Sequence, residues 1–283
     1  MATETTLTSA RAWAPDLQAF APRDVVNDAI IMQASTIAGS VEGDQPAVRV
    51  AFVDDAAATF TAEGADIAES DPTLDEVLVY TAKITQLVKL SREQWTQANT
   101  ATELSESVRR AVTKKANEAF LTQAAPTSPA VTPPAGLINI AGIEDGGAVA
   151  DDLDGLIDLI AALEDNGGNP SHIIVSPTSW ASLRKFKTGT ASAQSLLGAG
   201  TNDAERRLLD LPVLVSSAMT GGNGVVVDKS AVASAVGQVM VGSSEHVYFN
   251  SDNIALRCTW RLGWNVVHPD RIGKFSVTAP TEA

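Results

Sequence analysis

The chain has 283 residues, which is enough for one large domain or two small ones, and 45% of them are hydrophobic, which is ample for a core. Its formal net charge of −14 argues against tight nucleic-acid binding, because phosphate contacts need clustered lysine and arginine. The chain has one cysteine, Cys258, which excludes an intrachain disulfide and a cysteine-rich zinc site. No apolar run has the length of a membrane span, and the N-terminus lacks the pattern of a signal peptide. We therefore expect the protein to be made in the cytosol.

An N-terminal arm is predicted at the start of the chain. Residues 1–22 are polar and contain Pro15 and Pro22, which favours an extended segment over a folded domain. Trp13 lies in this segment without apolar neighbours that could enclose it. Burial of its side chain between subunits is therefore favoured.

A long acidic hairpin is predicted next. Val48, Val50 and Phe52 alternate with small or charged residues, and a second alternating pattern follows at Leu78, Tyr80, Ala82, Ile84, Val88 and Leu90. Residues 50–82 contain no lysine or arginine but eight carboxylates, Asp54, Asp55, Glu63, Asp66, Glu69, Asp71, Asp75 and Glu76. An isolated two-stranded ribbon is marginal in water, so we expect a second copy of the protein to support this one.

A long amphipathic helix is predicted after the hairpin. A capping box, Ser91 with Gln94, marks its start, and a second box, Thr100 with Glu103, restarts or bends it. Its apolar face consists of Ala101, Leu104, Val108, Ala111, Val112, Ala116, Ala119 and Phe120. Its other face carries a basic cluster, Arg109, Arg110, Lys114 and Lys115. The helix must end before the proline-rich residues 126–134.

Three roles are open for the basic cluster. It can pair with the acidic hairpin tip of a neighbouring copy, it can contact nucleic acid, or it can be a solvated helix face. Arg23 and Arg271 are weaker candidates for the pairing with the hairpin tip. We expect the pairing with a neighbour, because eight carboxylates at one tip repel one another unless basic residues approach them.

Alternating helices and strands follow the proline-rich linker. Leu153, Leu156, Ile157, Ile160 and Leu163 predict an amphipathic helix that ends at residues 166–170. Residues 172–175 predict a short buried strand, and Ser176 is expected to cap a helix that begins at Pro177. Near the end, Ile254, Leu256, Cys258, Trp260, Leu262 and Trp264 occupy every second position, which predicts a long half-buried strand.

No catalytic, cofactor or metal site is predicted. His172, His246 and His268 lack the spacing of a metal motif, and Ser176 is interpreted as a helix cap, not as half of a nucleophile pair. The glycines of residues 221–224 lack the lysine of a phosphate-binding loop and indicate a turn. Residues 151–154 place aspartates at a helix start, without the spacing of a calcium loop.

Several segments together resemble a known family. Residues 62–95 read AEGADIAESDPTLDEVLVYTAKITQLVKLSREQW, and residues 253–275 read NIALRCTWRLGWNVVHPDRIGKF. Both are similar to segments of tailed-bacteriophage major capsid proteins with the Hong Kong 97 fold, namely the extended loop with its following helix and the closing strands. Residues 172–187 and 209–219 resemble the strands and helix of the family's axial domain. The resemblance covers roughly residues 45–278.

The resemblance implies an α+β protein with the Hong Kong 97-type capsid fold. The implied division is an N-terminal arm and start of the peripheral domain (1–45), an extended β-hairpin loop (46–90), the spine helix of the peripheral domain (91–129), an α/β axial domain (130–242), and closing strands with a C-terminal tail (243–283). The implied function is a major capsid protein that self-assembles into hexamers and pentamers of an icosahedral shell around double-stranded DNA, formed in the bacterial cytoplasm and located in the virion.

The implied partners are further copies of the chain, a portal protein, separate scaffolding or decoration proteins, and packaged DNA through weak non-specific contact, with no cofactor and no membrane. The sequence has no N-terminal extension for a fused scaffold, so scaffolding is expected to be separate or absent. The candidates for contacts between subunits are Trp13, Asp66, Glu69, Asp71, Asp75, Glu76, Arg109, Arg110, Lys114 and Lys115.

The resemblance also implies that this shell is not covalently joined. A well-known member of the family links a loop lysine to a neighbour's asparagine with help from a glutamate, and these places fall near Ile67, at Asp252 or Asn253, and near Thr259. No lysine is present from residue 50 to 82. The alternatives are an encapsulin-type nanocompartment shell and, from another class, a soluble α/β enzyme, which the missing catalytic constellation and the apolar-poor hairpin disfavour.

Overall fold

A computed structural model describes residues 17–20, 29–54, 60–61, 63, 73–96, 100–188, 194–197 and 206–279. The strands are β1 (Leu17–Phe20), β2 (Thr36–Val41), β3 (Ala47–Asp54), β4 (Thr73–Ser91), β5 (Glu144–Val149), β6 (His172–Val175), β7 (Arg207–Leu208), β8 (Leu211–Val215), β9 (Asn223–Val227), β10 (Val232–Tyr248), β11 (Asn253–Val266) and β12 (Ile272–Val277). The helices are α1 (Ile30–Ala34), α2 (Arg92–Trp95), α3 (Thr100–Thr122), α4 (Asp154–Asp165) and α5 (Pro177–Lys185).

The first sheet has six strands and carries α3 on one face. Its order is β1-β10-β11-β4-β3, and β2 pairs in parallel with β10. The even positions of β11 face α3, which buries its own apolar stripe of Val108, Val112, Ala116 and Phe120 against them. The rings of Phe120 and Trp264 meet edge to face at 5.4 Å. The periodic residues that predicted α3 and β11 therefore form one core.

The central tryptophan of this core also fixes an irregularity in β10. Trp260 is fully buried, and its indole Nε1 donates a hydrogen bond to the carbonyl oxygen of Gly237 at 3.1 Å. The pairing of β10 with β11 shifts register between Val236 and Val239, which is a β-bulge. The indole thus bonds a backbone oxygen that the bulge leaves outside the pairing of β10 with β11.

The antiparallel pairing predicted for the hairpin is confirmed at its base, and β4 belongs to two structures at once. Its residues 81–91 pair with β11, whereas residues 73–80 pair with β3 to form a two-stranded ribbon. Gly263 lies where β4 changes partner, and a Cβ there would stand 2.1 Å from the carbonyl oxygen of Tyr80. The root of the ribbon packs on a small cluster that contains Val79, Val41 and Ala235.

The second sheet carries α4 and α5. Its order is β5-β12-β9-β6-β8-β7, and one of its faces packs on Leu156 and Leu163 of α4 and on Leu183 of α5. The opposite face contributes residues such as Ile174 to the core of the first sheet, so the two cores lie on either side of this sheet. The expected cap of α5 is confirmed, since Ser176 Oγ accepts a hydrogen bond from the amide of Ser179 at 3.0 Å.

Some elements lie outside the sequence-based expectation. The small-residue strand β10 has no predicted counterpart, and it crosses residue 242, where the axial domain was expected to end. Strand β12 lies between β5 and β9 of the second sheet, although residues 243–283 were assigned to the closing part of the peripheral domain. Ser91, the expected start of the long helix, is the last residue of β4. The restart predicted at Thr100 is present, since α3 begins there after the short helix α2.

Candidate functional site

The acidic hairpin is only partly within the described residues. Trp13, Asp66, Glu69 and Asp71 lie outside them, as do most residues of the tip. Asp75 and Glu76 are exposed on β4.

Glu76 has a partner within its own ribbon. Its carboxylate lies 2.7 Å from the guanidinium of Arg49 on β3. Arg49 immediately precedes the segment without basic residues, and for this reason the sequence pattern did not reveal the pair. Exposed pairs of this kind contribute about 0–1 kcal/mol.

Three of the four residues of the predicted basic cluster line one groove. Arg109, Arg110 and Lys114 of α3 form one wall with Thr113 and Asn117, and residues 216–218 form the other. We call this cavity of about 330 Å³ the α3 groove.

The charges of the cluster differ in how they are satisfied. Lys115 does not line the groove and lies 3.4 Å from Glu118, while Arg110 lies 3.6 Å from Glu106. Among the described residues, Arg109 and Lys114 form no ion pair at all.

A second basic surface lies on the face of the first sheet opposite α3. It consists of the odd positions of two neighbouring strands, Lys83, Thr85, Leu87 and Lys89 of β4 and Arg257, Thr259 and Arg261 of β11, and we call it the sheet face. Lys83 pairs directly with Arg261 across the strands, and Leu87 with Arg257. The alternation of β11 was visible in the sequence, but its pairing with β4 joins residues far apart in the chain and could not be read from it.

The sheet face contains a cavity and an uncovered apolar side chain. A cavity of about 600 Å³ is lined by Lys83, Arg257 and Arg261 and by the turn of residues 40–44. Arg261 donates from Nε to Thr81 Oγ1 at 2.9 Å and lies 3.8 Å from Asp44, whereas Lys83 and Arg257 are exposed. Leu87 is 58% exposed beside them. Basic side chains around an exposed leucine are typical of a surface that binds another protein.

A third surface is the turn between β10 and β11. Arg92 donates hydrogen bonds to Asp252 at 2.7 Å and to Glu245 at 2.9 Å, which ties this turn to the start of α2. The hydrogen bond to Asp252, and to a smaller extent that to Glu245, raises the pKa of the Arg92 guanidinium. Phe249 and Val247 at the turn are 80% and 60% exposed. The turn therefore exposes apolar side chains, and the ion pairs of Arg92 hold its backbone in place.

The histidines and serines have structural surroundings. His172 Nδ1 lies 3.0 Å from Ser171 Oγ, and that hydroxyl also donates to the carbonyl of Val227 and accepts from the amide of Lys229. Within the residues that the structure describes, no three His, Cys, Asp or Glu side chains are grouped so that they could hold a metal ion. In the same part of the chain, none of the helices is both long and apolar enough for a membrane span.

Acidification is expected to destabilise the second sheet through His172. Burial, and then the charge of Lys229, lowers the pKa of His172 below its ordinary value of 6.5. The unfolded chain therefore binds the proton more readily, and the free energy of unfolding should fall as the pH drops through 6.5 towards the folded pKa. In a series of urea titrations across this range, His172→Gln should flatten the decrease. His246→Gln, which removes an exposed imidazole, is the control, and an equal decrease in His172→Gln and wild type would contradict the assignment.

Comparisons with known proteins agree with this architecture. The model of the phage capsid family matches residues 22–277. A similar solved structure is a Mycobacterium phage Bobi chain, with a TM-score of 0.65 and 16% identity, which covers 88% of this chain and 90% of that one. Another is the capsid of the native GTA particle, with a TM-score of 0.66 and 16% identity, which covers 89% of this chain and 90% of that one. A Microbacterium phage Oxtober96 chain has a TM-score of 0.67 at 14% identity, over 98% and 96%. No curated protein matches the chain.

Proposed function

This chain belongs to the phage capsid family and is a major capsid protein, and from that premise we propose that its copies form hexamers and pentamers of a closed icosahedral shell around double-stranded DNA. The observation that carries the proposal is the family match over residues 22–277. It is supported by a ribbon whose strand β3 pairs, within the described residues, with β4 only. A ribbon of two strands gains stability by lying on another surface.

The experiment that tests the proposal is electron microscopy of the purified full chain over a range of salt and protein concentrations. Closed shells of uniform diameter, made of six-fold and five-fold rings, are the expected result. A protein that sediments as a monomer or small oligomer under all of these conditions would overturn the proposal.

Within the shell, we propose that the acidic hairpin of one copy lies on the sheet face of its neighbour. Lys83 stands directly across from Arg261, and like charges in this arrangement repel each other. Asp44 of the same copy lies 3.8 Å from Arg261, whereas among the described residues Lys83 and Arg257 form no ion pair. In the proposal, a neighbour's carboxylates pair with Lys83 and Arg257, and its chain covers Leu87. The cavity of about 600 Å³ gives room for several residues of an extended segment. The pairing of the tip with the basic cluster of α3, the sequence-based expectation, is the competing assignment.

Charge reversal should separate the two assignments. Lys83→Glu/Arg257→Glu is expected to prevent shell formation or to lower the salt concentration at which shells dissociate, because each exposed pair is worth about 0–1 kcal/mol and recurs at every subunit contact. The matched control is Arg109→Glu/Lys114→Glu, which changes the net charge equally. Sedimentation of both variants against salt gives the answer. Loss of shells only in the α3 variant would assign the hairpin to α3.

Shells should dissolve into a single polypeptide band. The segment of residues 50–82 contains no lysine that could form an isopeptide with a neighbour, and burial raises the pKa of the Cys258 thiol to about 11, which keeps it protonated and unreactive. Shells boiled in denaturant with reductant should therefore give one band near 29.5 kDa on a gel. A ladder of multimers would refute this and would make Lys83 and Lys89 the first residues to substitute.

The remaining parts of the proposal follow from the role of a shell subunit. The family is a structural one, and we propose that this chain has no catalytic activity and no cofactor. A portal protein, separate scaffolding or decoration proteins, and assembly in the host cytoplasm complete the proposal.

A further inference from the structure

The outer face of α4 carries carboxylates around an apolar centre. Six exposed residues recur at three- and four-residue steps, so they lie on one side of the helix, away from the sheet. They are Asp154, Ile157, Asp158, Ala161, Glu164 and Asp165, and we call this surface the α4 stripe. Ile157 is 47% exposed. Among the described residues, none of the four carboxylates belongs to an ion pair.

The charges of the α4 stripe work against the stability of their own helix. Asp154 and Asp158 are four residues apart, and like charges at this spacing repel each other. Glu164 and Asp165 lie in the last turn, where the helix dipole favours cations. Residues that break such local rules are expected where they serve a function. The stripe therefore indicates a contact with a partner outside the chain.

A basic surface with its own apolar residue lies on other elements of the second sheet. Arg184 and Lys185 are exposed in the last turn of α5, and Arg206 is exposed just before β7. Leu196 is 38% exposed, and its amide donates to the carbonyl of Phe186, which follows α5, at 2.8 Å. Within the described part of the chain, none of the three cations has an ion-pair partner. We call these residues the α5 surface.

The two surfaces belong to separate parts of the second sheet. Helix α4 covers the β5 edge, where Gly146 of β5 and Gly273 of β12 lie under Leu159. A Cβ at either glycine would stand 2.8 or 2.7 Å from that leucine side chain. The strand that follows Arg206, β7, is at the opposite edge. One copy can therefore present the α4 stripe to one neighbour and the α5 surface to another.

We propose that the α4 stripe of one copy binds the α5 surface of the next copy, head to tail around a ring. This assignment rests on the proposed function, which requires rings of six and of five copies. Opposite charges surround apolar side chains on the two sides, as in interfaces with an apolar centre and a polar rim. Because the two surfaces differ, the contact is heterologous, and such contacts build rings where a self-complementary contact builds dimers.

Charge reversal on either surface should abolish rings and shells. Asp158→Lys/Asp165→Lys reverses the α4 stripe, and Arg184→Glu/Lys185→Glu reverses the α5 surface. The first variant also replaces a repulsion with Asp154 by an attraction and places a cation in the last turn of α4, so its unfolding free energy should not fall. Electron microscopy, sedimentation and urea unfolding of the full chain measure these effects. Loss of assembly without loss of stability separates the contact from folding.

Two combinations of these substitutions restore opposite charges across the contact. One chain with all four substitutions has a basic stripe and an acidic α5 surface, and it should again form closed shells. An equimolar mixture of the two single-surface variants restores the contact only where the variants alternate. Six copies can alternate around a ring, but five cannot. The mixture should therefore give six-membered rings and open sheets or tubes of them, without closed shells.

The matched control shows that the mixture does not act through its average charge. Arg109→Glu/Lys114→Glu has the same net charge as Arg184→Glu/Lys185→Glu, but its α5 surface is that of the wild type. When a fluorescently labelled Asp158→Lys/Asp165→Lys chain is mixed with this control, the label should stay in the unassembled fraction. Mixed with Arg184→Glu/Lys185→Glu, the same labelled chain should enter the rings.

The contact and the proposed function can fail separately. Normal shells from either single-surface variant would overturn the contact and leave the proposed function standing. Closed shells from the mixture would do the same, as would a chain with all four substitutions that is folded by circular dichroism but unassembled. Wild-type rings that depend on this contact but never close into shells would refute the proposed function alone. A wild-type chain that assembles under no condition would refute both.

Discussion

Shells are expected to disappear, with the subunit still folded, when residues 55–72 are replaced by Asn-Gly. Asp54 and Thr73 are directly paired in the ribbon, so a two-residue turn can join them without distorting either strand. Phe60, the large apolar side chain that is described within the deleted segment, is fully exposed, and we therefore expect the unfolding free energy to change little. The variant lacks, however, the hairpin tip that we propose to lie on the neighbour. Electron microscopy and urea unfolding of the same preparation measure the two effects.

A second hairpin variant separates charge from contact. It keeps the length of the segment and replaces Asp55, Glu63, Asp66, Glu69 and Asp71 by the corresponding amides. Shells of this variant should form but should lose their sensitivity to salt, because the covering of the neighbour is retained and the ion pairs are not. Normal shells from the Asn-Gly variant would show that the tip does not join subunits.

Replacing Trp260 by alanine is expected to cost about 3–5 kcal/mol of unfolding free energy. The side chain is fully buried between the first sheet and α3, and its removal leaves a cavity there. The substitution also removes the hydrogen bond to the Gly237 carbonyl, leaving a backbone oxygen of the bulge without its partner. Urea unfolding followed by circular dichroism is the measurement.

Two further substitutions give this experiment its controls. Trp260→Phe keeps most of the packing and loses only the donor, so it should cost less than Trp260→Ala. Thr85→Ala lies on the exposed side of the same sheet and should change the free energy by less than about 0.5 kcal/mol. A loss below about 1 kcal/mol in Trp260→Ala would mean that the core does not depend on this residue.

The elements that could be predicted from the sequence are those with a strong local pattern. The periodic spacing of apolar residues in β11, α3 and α4 is visible within each segment. Ser176 is followed directly by a proline, which is the usual sequence pattern of a helix start. By contrast, alanine, serine and glycine separate the valines of β10, and no regular alternation indicates a strand there. It forms because β11 pairs along one edge and β1 and β2 along the other.

The candidate surfaces, too, were predictable only where their residues lie on one element. Arg109, Arg110 and Lys114 lie on consecutive turns of one helix, so their cluster was predictable, but the opposite wall of the α3 groove comes from residues 216–218. The sheet face joins Lys83 to Arg257 and Arg261 through strand pairing between distant segments. No local pattern contains such information, because it depends on which strands become neighbours.

The order of the strands has a consequence for how the chain is synthesised. Strand β11 lies between β10 and β4, and β12 lies between β5 and β9, so both sheets stay open in the middle until residues 253–277 have left the ribosome. In a nascent chain that ends before them, residues 81–91 of β4 have no β11 to pair with, and Arg257 and Arg261 are absent. Such long-range pairing is slow, and exposed strand edges are prone to aggregate. We therefore expect a subunit to become able to join its neighbours only after residues 253–277 have been translated and have paired.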